Sequence, residues 1–118
     1  IKINPNFLVA NNNIAIAYTD LGTKVKNEGN IKQGVEYYKR ALVYNSKYAA
    51  AWYNLGVAYA EQGRTDEAIV CYEMAINFNT KCAEAYNNLG VIFKDRGNME
   101  KSIIYYQEAL KANPMFAQ

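Results

Sequence analysis

Between residues 49 and 82 the apolar residues recur at the spacing of one helix face, twice over. Trp52, Leu55 and Tyr59 form the first set; Ala68, Ile69, Tyr72, Ala75 and Ile76 form the second. Gly63 stands between them, where a helix can end in a left-handed residue at little steric cost. Thr65 can cap the helix that follows, with Asp66 and Glu67 favourably placed against its positive end. The stretch predicts a helical hairpin. Gly56, Ala68 and Ala75 are small where its two helices must approach, and Trp52, Leu55, Tyr59 and Tyr72 fill the space around them. One such hairpin cannot bury both of its faces, so it calls for neighbours.

The 34 residues from 83 to 116 say nearly the same thing again. Trp52, Leu55, Gly56 and Tyr59 return as Tyr86, Leu89, Gly90 and Phe93; Gly63, Tyr72 and Ala75 return as Gly97, Tyr106 and Ala109. Ser102 stands in for Ala68 and is nearly as small. A fixed period of this length means stacked supersecondary units rather than one globular core. Towards the N-terminus the same pattern predicts a repeat over 8–48, with seven residues more than the others. Asn13-Ile14-Ala15 align with Asn54-Leu55-Gly56 and Tyr18 with Tyr59; Gly29, Gly34, Tyr38 and Ala41 then continue the pattern. The additional residues fall within 22–28. Seven residues are nearly two turns, so they can lengthen the first helix and keep its partner on the same side. A loop insertion, which Gly22 favours, is the rival.

Six helices are expected, at 8–28, 31–44, 47–61, 65–78, 81–95 and 99–112. An asparagine precedes each repeat (Asn4, Asn45, Asn79 and Asn113), where it can cap the coming helix. Asn30 with Gln33 resembles a capping box, and Asn98 can cap the last helix. Residues 1–7 read as the tail of a preceding repeat and 117–118 as the start of a further one. The chain reads as a piece of a longer array.

Composition narrows the function classes. Two prolines, 51% hydrophobic and 14% aromatic residues fit a packed helical protein rather than a disordered one. A net charge of +2, with no basic stripe, gives no footprint for nucleic acid. No stretch is apolar for long enough to span a membrane, and no membrane partner is expected. Cys71 and Cys82 do not fit a metal spacing and read as apolar packing residues in a reducing compartment. The chain has no histidine, the commonest general base and metal ligand. It also has no glycine-rich phosphate loop, so neither catalytic residues nor a cofactor or metal site is expected in it.

Asparagine supplies the candidate chemistry. Asn13, Asn54 and Asn88 each stand one residue before a Leu-Gly or Ile-Ala pair, at equivalent places in the aligned repeats. There they are expected to face the inner wall of the stack as a ladder. A primary amide offers two donors and an acceptor, so it can pair with a peptide N–H and C=O together. Such a ladder would read an extended chain and ignore its side chains. The alternative, that each asparagine fastens neighbouring repeats, stands beside it. Asn12 and Asn87 precede two of the three and can add polar contacts, while Tyr53 takes that place in the middle repeat. Glu84 lies four residues before Asn88, on the same helix face, where it can meet a basic or hydroxylated ligand side chain. The tyrosines read as packing first.

The period and the W-x2-L-G-x2-Y signature are identified as those of tetratricopeptide repeats. That resemblance implies an all-α fold, a right-handed superhelical stack of helix-turn-helix units, or α-solenoid. A narrower likeness lies in the runs NNNIAIAYTDLGTKVKNEGN, GVEYYKRAL, WYNLGVAYAEQG and CAEAYNNLGVIFKDRGN. These resemble the repeat region of SPINDLY-type protein O-fucosyltransferases, relatives of the O-linked N-acetylglucosamine transferases. The resemblance implies a nucleocytoplasmic parent enzyme that uses a nucleotide sugar on a separate GT-B catalytic region, none of which lies in this chain. It also implies substrate selection by an asparagine ladder, whose places Asn13, Asn54 and Asn88 match. Of the aspartates that accompany the ladder in the N-acetylglucosamine relatives, Glu84 fits in kind, while Val9 and Ala50 do not.

The leading expectation is therefore a non-catalytic protein-interaction module that places extended protein substrates for a cytoplasmic and nuclear glycosyltransferase. The rival is a repeat scaffold without an attached enzyme, such as a cochaperone-type adaptor. A clamp for chaperone C-terminal carboxylates is disfavoured, because Asn12, Ile16, Asn54, Glu84 and Asn88 at the relevant places include no basic residue. Exposed end repeats can also self-associate.

Overall fold

The computed structural model describes residues 5–117. The expectations for residues 1–4 and for Gln118 lie outside these described residues. Six α-helices follow one another: α1 (Pro5–Asn27), α2 (Ile31–Tyr44), α3 (Ala49–Glu61), α4 (Thr65–Phe78), α5 (Ala83–Asp95) and α6 (Met99–Ala112). A short 3-10 turn at Pro114–Ala117 comes after them. The helices pair as α1–α2, α3–α4 and α5–α6, and each hairpin packs on the next through α2–α3 and α4–α5. The result is an all-α stack of helix-turn-helix units, an α-solenoid.

Each hairpin turns at a glycine. Gly29, Gly63 and Gly97 have φ of 97°, 77° and 81°, which a residue with a Cβ adopts only with strain. The core runs between the hairpins as two clusters, a larger one that buries Val35, Tyr38, Leu55, Tyr59, Cys71, Tyr72 and Leu89 and a smaller one of Ala15, Ala41 and Ala51. Ala68 and Ala75 are fully buried where α4 meets α3, and Ser102 takes the equivalent place by donating its hydroxyl to the Gly90 carbonyl at 2.7 Å.

The predicted caps are met in part. Asn30 accepts from the Gln33 N–H, and Asn98 from the Lys101 N–H. Arg64, not Thr65, occupies the N-cap of α4, and it makes no side-chain cap bond. Asn45, Asn79 and Asn113 cap the C-termini of the preceding helices instead of the N-termini of the following ones. Their Oδ1 atoms accept from the N–H two residues on, at Lys47, Lys81 and Met115. These asparagines stabilise the turn itself, so α3 and α5 begin two residues later than expected, at Ala49 and Ala83.

The first repeat needs the larger correction. α1 is one continuous helix of 23 residues through 22–27, so the long-helix expectation holds and the loop insertion does not. The added length is not where the sequence alignment put it. A Cβ at Gly22 would lie 2.7 Å from the Tyr38 ring, as one at Gly56 would from Tyr72 (2.7 Å) and one at Gly90 from Tyr106 (2.6 Å). Gly22, Gly56 and Gly90 are therefore equivalent and 34 residues apart. The surplus is at the N-terminal end of α1, before Ala15, and residues 22–28 belong to the regular repeat. Residues 5–7, expected in the tail of a preceding repeat, are part of α1.

Candidate functional site

In this register Asp20, two residues before Gly22, is the counterpart of Asn54 and Asn88. Asn13 lies seven residues earlier, on nearly the same helix face but about 10 Å further along the axis. It is exposed and stands outside the row. Asn54 is half-buried on α3 and has no hydrogen-bond partner among the described residues. Asn88, half-buried on α5, donates Nδ2–H to the Tyr53 hydroxyl at 3.4 Å. That contact joins adjacent hairpins, as the fastening alternative describes. Asn12 accepts from Asn45 Nδ2 at 2.9 Å, which ties the extension of α1 to the α2–α3 turn. Asn87 is half-buried, and Glu84 is exposed in the first turn of α5, where its charge offsets the positive helix end.

What the structure adds is the space beside Asn88. A cavity of about 410 Å³ opens between α3 and α5, lined by Tyr53, Val57, Ala60, Glu61, Tyr72, Asn88, Val91 and Ile92. A second opening of about 350 Å³ shares Ala60, Val91 and Ile92 with it and continues past Thr65, Asp95 and Arg96. The two form one groove. Its floor is apolar, and one amide, Asn88, stands in its wall. Tyr72, on which Tyr53 packs with ring centroids 5.9 Å apart, is buried, and burial pushes its phenol up to about 12. Burial likewise raises the Tyr53 phenol, against the hydrogen bond from Asn88, which lowers it; Glu84 adds a smaller rise and so lies within electrostatic reach. Both hydroxyls stay protonated at neutral pH and can donate.

The sequence reading missed Tyr53, Val57, Val91 and Ile92 as wall residues. Their signal was present, because Val57 lies three residues after Asn54, and Val91 and Ile92 lie three and four after Asn88. On the α2–α4 side of α3 another cavity, about 500 Å³, is lined by Leu42, Trp52, Leu55, Tyr59, Val70 and Cys71 with charged residues at its edge. It contains none of the expected site residues. Among the described residues no His, Cys, Asp and Glu group could hold a metal ion, and no helix is long and apolar enough to cross a membrane.

Comparison with known proteins gives the same picture of the fold. Residues 49–81 and 83–116 match the tetratricopeptide repeat family, and residues 27–63 match a related TPR repeat family. Among curated proteins, the chain is similar to two named "Probable UDP-N-acetylglucosamine--peptide N-acetylglucosaminyltransferase SPINDLY". The one from Eustoma exaltatum subsp. russellianum is 62% identical over 42 residues, 36% of this chain and 5% of that protein. The one from Oryza sativa subsp. japonica is 73% identical over 37 residues, 31% of this chain and 4% of that protein. The chain thus matches only a small part of these curated relatives. Among solved structures, MamA is 29% identical with a TM-score of 0.81, over 87% of this chain and 60% of that one. The second repeat domain of Spaghetti (RPAP3), solved with the HSP90 peptide SRMEEVD, has the same TM-score at 21% identity, over 88% of this chain and 96% of that one. At that identity it shows the fold alone.

Proposed function

The chain belongs to the tetratricopeptide repeat family, and on that premise we propose that it is a protein-interaction module that holds an extended peptide along the α1–α3–α5 side. Asn54 and Asn88 carry the backbone contacts. The observation that supports this reading most directly is the groove between α3 and α5, with an amide in its wall and an apolar floor. An extended peptide presents an N–H and a C=O on one edge, which a primary amide can meet together. Several such contacts in a row add through effective concentration, which suits brief engagement of many partners.

The parent is a protein O-glycosyltransferase of the SPINDLY type, working in the cytoplasm and nucleus, and this segment places its protein substrates. The SPINDLY relatives support that role over about a third of the chain. They are named for N-acetylglucosamine, whereas the sequence resemblance is to fucosyl transfer; placement of the acceptor is the same task with either sugar. The cochaperone alternative is weaker. A peptide as acidic as SRMEEVD, bound by Spaghetti, would meet the unpaired carboxylate of Asp95, which lines the groove, and Glu84 one turn before Asn88.

The test is fluorescence anisotropy with a library of labelled serine- and threonine-rich peptides. Asn54→Ala should weaken binding of every peptide by a similar factor while leaving the melting temperature unchanged, since that amide has no partner among the described residues. Unaltered affinity across the library for Asn54→Ala and for Asn88→Ala would remove the asparagines from the site.

A further inference from the structure

The groove between α3 and α5 is shaped for more than backbone contact. We infer that it is a side-chain pocket that selects peptides carrying a branched aliphatic residue beside a lysine or arginine. This rests on the peptide reading above and adds to it what the occupant's side chains must be. Val57, Val91, Ile92 and the Tyr72 ring give an apolar floor in a cavity of about 410 Å³, enough for one aliphatic side chain and its approach. Val91 is 42% exposed and Ile92 half-buried, so apolar surface is left for a ligand to cover.

Charge decides the neighbouring position. Glu61 is neutralised by Lys26 at 2.9 Å, and Arg96 by Asp66 at 2.6 Å. Asp95, which lines the second opening, and Glu84, one turn before Asn88 on α5, have no ion-pair partner among the described residues. Lys94, next to Asp95, lines neither opening. The two uncompensated carboxylates flank the apolar floor, so a cation beside the aliphatic residue is favoured and an acid is repelled.

Three labelled nine-residue serine/threonine peptides, with centres Ile-Lys, Ile-Glu and Gly-Lys, separate the possibilities by anisotropy. The Ile-Lys peptide should bind at least tenfold more tightly than the other two. Val91→Trp, which fills the cavity from an exposed position, should abolish the advantage of isoleucine over glycine. The double change Glu84→Lys and Asp95→Lys should reverse the preference between lysine and glutamate. Circular dichroism should be unchanged in both variants, with melting unchanged for Val91→Trp and lowered by only a few degrees for the charge variant, which loses Glu84 at the helix N-terminus, so misfolding is excluded as the cause. Measurable but equal binding of the three peptides overturns the side-chain pocket and leaves the backbone reading standing. Binding of none of them, nor of any peptide in the broader library, overturns the backbone reading itself.

Discussion

The gap between α1 and α3 and the gap between α3 and α5 occupy the same place in successive repeats, yet one is sealed and the other open. In the first, Thr23 and the Tyr38 hydroxyl share a hydrogen bond of 2.8 Å, and Lys26 reaches across to Glu61 at 2.9 Å. Thr19, 3% exposed, returns its hydroxyl to the Ala15 carbonyl. In the second, 34 residues on, Thr19, Thr23 and Lys26 become Tyr53, Val57 and Ala60. Threonine and valine have nearly the same shape, but valine has no hydroxyl for the tyrosine, and alanine cannot reach the next helix. The seal is lost while the backbone is kept. A repeat array can thus make one joint structural and the next receptive with a few substitutions.

Removing the central ring of each joint should have the largest effect. Tyr38→Ala and Tyr72→Ala each delete a buried aromatic and should cost about 3–5 kcal/mol in chemical denaturation. Tyr38→Ala should cost more, because it removes the 2.8 Å bond with Thr23, whereas Tyr72 has only the amide of Asn88, which is shared with Tyr53. Equal losses would mean that the polar seal contributes nothing. Next in size, Gly22→Ala and Gly56→Ala should each destabilise by about 1–3 kcal/mol, since the new methyl meets a tyrosine ring closer than van der Waals contact. A harmless Gly22→Ala would break the 34-residue register on which the comparison depends.

Alkaline melting sharpens the receptive side. Burial raises the Tyr72 phenol to about 12 and the Cys71 thiol to about 11, so the unfolded chain ionises at lower pH than the folded one. Stability should therefore be constant near neutrality and fall as pH rises from about 9 through 12. Tyr72→Phe should flatten part of that slope; an unchanged slope would show that the phenol ionises as readily folded as unfolded. The smallest effect belongs to the seal alone. Thr23→Val should cost about 1 kcal/mol, and Lys26→Ala no more than about 1 kcal/mol, as Glu61 is half-exposed. Combined with Thr19→Tyr and Ala50→Glu, they should bring the first gap close to the second, measurable as a second binding event for the Ile-Lys peptide.

The hairpins, their turns and most of the core were legible in the sequence, because each repeat writes Leu-Gly, the turn glycine and the Tyr-x2-Ala pair at the same spacing. The first repeat was misread for a physical reason. Asn13-Ile14-Ala15 imitates Asn54-Leu55-Gly56, while Val25 replaces the aromatic seen at Tyr59 and Phe93. Leu21-Gly22, seven residues before the turn glycine as in the other repeats, carried the true register, and the contact of Gly22 with Tyr38 confirms it. The turn asparagines were ambiguous because the same residue can close one helix or open the next. The groove was illegible for another reason: it arises from what Val57 and Ala60 fail to do across a gap between repeats.

Amide NMR titration of the chain with the Ile-Lys peptide tests the central contrast most directly. Shift changes should centre on Tyr53, Val57, Asn88, Val91 and Ile92, with Thr19, Thr23 and Lys26 nearly still. Changes centred on the α1–α3 seal, or on Leu42, Trp52 and Val70 on the opposite side of α3, would contradict it.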